Sequence, residues 1–185
     1  MDSRVLIAVI IAIAAIAIVG LVLYSSRYKS KRLKQHYGAE YERVVQQQGD
    51  PRRAENVLIE RERRVEKFKI HSLAPADRDR YLQEWAGVQR RFVDDPQHAV
   101  LEAETLVTQV MTARGYPMGN FDESAEAISV HYPLVVENYR VAHEIANRHS
   151  MGQSSTEDLR RAMVHYRTLF EELLEQPHTG QREVA

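Results

Sequence analysis

The chain has 185 residues, 25 basic and 26 acidic side chains, a formal net charge of −1, and no cysteine. The absence of cysteine excludes disulfides, thiol nucleophiles and thiolate-bound metals. Eight glycines, six prolines and the absence of long β-branched alternation beyond residue 24 predict an all-α protein.

Residues 1–4 form a short flank, followed by an uncharged run from Val5 to Tyr24 in which thirteen residues are Ile, Leu or Val. Twenty helical residues span roughly 30 Å, the hydrocarbon thickness of a bilayer, so the run is expected to be a single transmembrane helix. It exceeds the apolar core of a cleaved signal and lacks a good cleavage site at its end. Arg27, Lys29, Lys31, Arg32 and Lys34 follow it, against Arg4 alone before it. The positive-inside rule then places the N-terminus outside and the C-terminal domain in the cytoplasm. The same five cations can also meet anionic headgroups. Ala8 and Ala12 match a small-xxx-small spacing, which allows a weak homo-oligomer.

Residues 25–73 read as a basic juxtamembrane segment and charged helical stalk. Leu33, Tyr37, Tyr41, Val44 and Gln48 recur at helical spacing up to Gly49-Asp50-Pro51. A second helix carries Ala54, Leu58, Arg61, Val65 and Phe68 at heptad-like spacing, with an arginine in the seam; it reads as a solvated helix with one face on the bundle, or as a short coiled coil. Within it Glu60 and Arg64 stand four apart, a favourable pair. From residue 25 to 73 the net charge is +6, and from residue 74 onward it is −7. An acidic distal part argues against nucleic acid as a partner.

Residues 74–176 are expected to fold as a four- to five-helix bundle. Pro75 opens the first helix, and Tyr81, Trp85, Val88 and Phe92 form its core stripe. Asp94-Asp95-Pro96 ends it. Val100, Ala103, Val107, Val110 and Met111 line the next helix, with Gly115 expected in a left-handed conformation at its end. Asp122 is expected to cap a short helix reaching His131, and Leu134, Val135, Tyr139, Ala142, Ile145 and Ala146 mark the one after it. Ser155 with Asp158 approximates a capping box ahead of Leu159, Ala162, Met163, Tyr166, Leu169, Phe170 and Leu173. Residues 177–185 read as a flexible tail.

The stretch from about Tyr81 to Leu174 resembles a family of uncharacterised bacterial membrane-anchored or secreted proteins. The resemblance rests on Arg91-Phe92-Val93-Asp94-Asp95-Pro96, Arg114-Gly115-Tyr116-Pro117 and Val130-His131-Tyr132-Pro133. It also rests on Tyr139-Arg140, Ala142-His143, Asp158-Leu159-Arg160 and His165-Tyr166-Arg167. It implies no activity, cofactor or catalytic residue.

Catalytic signatures are absent from the sequence: no serine elbow, phosphate loop or Rossmann fingerprint occurs. His143 and His149 are six apart and fall on different helix faces, so no metal and no cofactor are expected. Tyr116, Pro117, Met118, Phe121 and Tyr132 are the candidate interaction residues, because apolar side chains on a connection either cap a bundle or anchor a partner. The sequence therefore predicts a membrane-bound, non-enzymatic scaffold or adaptor whose partners are the lipid bilayer and a protein. An extracytoplasmic envelope domain and an enzyme or metal protein without a recognisable motif are the alternatives.

Overall fold

The computed structural model describes residues 20, 21, 24 and 27–175, and every regular element among them is helical. The expected membrane span lies outside the described residues except for its end, as does the expected tail. Among the described residues no helix is long and apolar enough to cross a membrane.

Helix α1 includes residues 27–37. It is followed by α2 (Ala39–Gln48), α3 (Pro51–Val65), α4 (Pro75–Asp94), α5 (Pro96–Ala113), α6 (Phe121–His131), α7 (Val136–Ser150) and α8 (Thr156–Leu174). The boundaries follow local chemistry. Pro51, Pro75 and Pro96 occupy first turns, where the missing N–H costs nothing. Asp50 and Asp95 accept from the amides of Arg53 and His98. Ser155 and Asp158 complete both halves of the capping box. The α6 cap is Asn120, which accepts from Glu123 N, rather than the expected Asp122; the helix begins one residue before that aspartate. Gly38, at φ 51°, separates α1 from α2 within what reads in the sequence as one continuous stripe. Leu134 also departs from expectation. It precedes α7 and is 83% exposed.

Helices α4–α8 enclose the main core, where Trp85 stacks on Phe170 with ring centroids 4.6 Å apart. The segment expected as a stalk is a folded hairpin. α3 turns back at Gly49–Asp50 and encloses a second core of Leu33, Tyr37, Tyr41, Val44, Ala54 and Leu58. Val65, at the end of α3, already belongs to the main core.

A buried ionic cluster bolts the hairpin to the bundle. The Glu40 side chain is 1% exposed and accepts from three arginines of three helices. Arg43 donates through Nε and Nη2 at 2.9 and 3.1 Å. Arg61, itself 2% exposed, donates through Nη1 at 2.7 Å. Arg140 of α7 donates through both terminal nitrogens at 2.7 and 3.1 Å. Arg61 reaches on to Ser129 Oγ at 2.8 Å and to Glu126 of α6. Arg64 bonds Glu126 at 2.7 Å rather than Glu60, so the pairing expected along α3 is made across helices instead. Burial alone would raise the Glu40 pKa, but the hydrogen bonds and charges of Arg43, Arg140 and Arg61 outweigh it and hold the carboxyl at about 2.

Two predictions follow from this packing. Trp85→Ala should cost about 3–5 kcal/mol in urea unfolding, through loss of transfer energy and a residual cavity; free iodide quenching of wild-type tryptophan fluorescence would contradict the burial. Glu40 has a folded pKa below its ordinary 4.5, so its contribution is complete above that pH and is lost as pH falls from 4.5 toward 2. The contribution is on the order of 3 kcal/mol at 1.4 kcal/mol per pKa unit. Glu40→Gln should therefore be less stable at pH 7 and show a flatter stability profile across that window than the wild type.

Candidate functional site

The connection after α5 is fixed by its first two residues. Gly115 adopts φ 85° and passes so close to the 66–74 linker that a Cβ would lie 2.6 Å from the carbonyl oxygen of Lys69. Arg114 beside it is fully buried. Its Nε donates to the His71 carbonyl at 3.2 Å, and its Nη1 to the Leu173 carbonyl at 2.8 Å and to the Tyr132 hydroxyl. Among the described residues no carboxylate pairs with it. The unpaired carbonyls at the C-terminal end of α8 and the rings of Tyr116 and Tyr132, 5.9 and 5.6 Å from the guanidinium carbon, stand in for an anion. One side chain thus ties the end of α5, the linker and the last turn of α8 together.

The structure does not bring the five candidate interaction residues to one surface. Tyr116 and Tyr132 are buried, and the Tyr116 hydroxyl lies 3.1 Å from His131 Nδ1. Phe121 is half-buried and lies flat on the His143 imidazole, with centroids 3.7 Å apart. Pro117 is half-buried, in a cleft it shares with Phe68, Val65 and Arg64, and Met118 is 39% exposed nearby. These aromatic rings therefore close the bundle, and only Pro117 and Met118 reach its surface. Of the five basic residues after the expected span, Arg32 pairs with Glu62 at 2.6 Å, and Arg27, Lys29, Lys31 and Lys34 are exposed.

Three further features escape the sequence patterns. His143 Nδ1 bonds the Glu104 carboxylate, joining α7 to α5. A carboxylate-oriented imidazole is half of a general acid–base arrangement, but here the Phe121 ring covers its face. Burial, reinforced by the Glu104 charge, pushes the neighbouring Tyr139 up to about 12, so that hydroxyl stays protonated. A groove of about 750 Å³ runs along α4 and α5, floored by Gly87, Val88, Leu101 and Leu106 and edged by the ion pairs Arg80–Glu84 and Arg91–Glu102. Gly87 inside a long helix was its only local sign. Among the described residues no group of three or more His, Asp or Glu side chains is placed to hold a metal ion.

No family model, curated protein or solved structure matches the chain.

The close approach at Gly115 yields a comparison. Gly115→Ala and Gly152→Ala both place alanine at positive φ, worth about 1–3 kcal/mol, but Gly152 faces open space. The Gly115 variant should melt lower than the Gly152 variant, since the added carbon must also displace the Lys69 carbonyl. Equal melting temperatures would show that the linker gives way freely.

Proposed function

We propose that this chain is a non-enzymatic helical scaffold, held at a membrane by its N-terminal segment and presenting its bundle to a protein partner on the cytoplasmic side. The observation that carries the reading is the bareness of the helix leading out of the expected span. Leu21, Tyr24 and Tyr28 are 69%, 70% and 59% exposed, left uncovered by the described residues. Aromatic rings beside a run of cations are what an interfacial belt requires. The α4–α5 groove, with apolar floor and charged rim, is the surface best suited to a partner, since it combines a buried contact area with a polar edge.

Topology is the decisive measurement. A fluorescent reporter active only in the cytoplasm, fused after Ala185, should fluoresce, and alkaline phosphatase fused there should be inactive. Replacing Arg27, Lys29, Lys31, Arg32 and Lys34 by Gln while adding Lys near Ser3 should invert or scramble the orientation. An active wild-type phosphatase fusion would place the domain outside and favour an envelope role.

A further inference from the structure

The five lysines of the chain are Lys29, Lys31, Lys34, Lys67 and Lys69, in two segments more than thirty residues apart. The twenty arginines, by contrast, are spread along the whole chain. All five lysines are exposed, and none pairs with a described carboxylate. The fold brings the two segments to one end. Because α3 runs antiparallel to α1 and α2, Arg32 meets Glu62 at 2.6 Å, and α3 continues one turn past that pair to Val65 before the Lys67–Lys69 turn. His36, Glu62, Glu66 and Phe68 line one cleft there. The turn carrying Lys67 and Lys69 is held in place by the close approach of Gly115 and by the His71 N–H bonding the Arg114 carbonyl at 3.0 Å. Phe68 stands between the two lysines, 44% exposed, with Met118 beyond Pro117 adding a second bare apolar side chain.

Glu62 and Glu60 at this end are engaged by Arg32 and Arg63, while Glu66 and Glu123, which lines the cleft beside Phe68, are exposed carboxylates. Lys29 and Lys31 fall on different faces of α1, and Lys67 and Lys69 flank Phe68, which lines a cleft with His36 of α1. Long lysine stems suit such a position, since they lie along apolar surface while the ammonium reaches a polar layer.

We infer that the Lys67-Phe68-Lys69 turn is a second lipid contact, docked on the anionic phospholipid headgroups of the leaflet from which α1 emerges, with the Phe68 ring inserted between them. This rests on the membrane-anchored reading and adds to it an orientation: the hairpin end lies against the bilayer, and the acidic distal part faces away. The basic residues on α1 alone would tether the domain without orienting it. A second point of contact, on another element, removes that freedom.

The cysteine-free chain makes the test direct. Full-length protein carrying Phe68→Cys or Val93→Cys, each labelled with a small fluorophore, is reconstituted into vesicles of brominated phosphatidylcholine with or without brominated phosphatidylglycerol. Val93 is 81% exposed near the far end of α4, about 27 Å of helix from Pro75. The label at 68 should be quenched several-fold more strongly than that at 93, more so with phosphatidylglycerol, and less so after Lys67→Gln with Lys69→Gln or in high salt. Equal quenching at the two positions, in protein that remains on the vesicles after an alkaline carbonate wash, overturns the docking and leaves the anchor standing. Release of the protein by that wash overturns the anchor reading, and the docking with it.

Discussion

The buried carboxylate of Glu40 is the constraint on which the arrangement of the hairpin depends. Desolvating a lone carboxylate costs several kcal/mol, and three arginines from α2, α3 and α7 return that energy only while all three helices are in place. Apolar packing alone would hold the hairpin loosely, because its core is small and closes on itself. The ionic cluster supplies direction instead: the planar guanidinium groups of Arg43 and Arg140 meet the carboxylate through two nitrogens each, which fixes rotation as well as distance. Arg61, in the seam between the two cores, extends the same geometry to Ser129 and Glu126, so that α6 shares the constraint.

A second, smaller lock works by a different principle. Arg114 has no anionic partner among the described residues and is accommodated by carbonyls and ring faces. It lies where α5, the linker and α8 converge, and the linker in turn carries the turn whose side chains meet the surroundings. The two locks therefore act in series, one fixing the hairpin against α6 and α7, the other fixing the linker that joins hairpin to bundle.

Helix positions were legible in the sequence because their signals are local: proline at first turns, Asp50, Asp95 and Ser155 at caps, Gly115 after α5. The stripes through Trp85 and Tyr166 were legible because burial follows helical period. The interactions that organise the fold were not, because Glu40 and Arg140 are separated by 100 residues and carry no periodicity that pairs them. Arg61 was visible as a charge in an apolar seam, but its partners were not. Asn120 was missed as a cap because the aspartate two residues later offered the same chemistry. Arg114, Tyr116, His131, Tyr132, Arg140, His143 and His165 all make polar contacts with side chains outside their own helix or turn.

The last turn of α8 is held by Arg114 and Arg78, beside Ser72 and Leu73, so the described chain leaves the bundle next to the linker that α1 also adjoins. Entry and exit thus share one side. The turns at 94–96 and 150–155 stand at the other, about 30 Å away along α4. A sequence spliced into either turn would project from the far side without parting the chain ends, which makes those two turns the natural points at which this architecture can acquire another module.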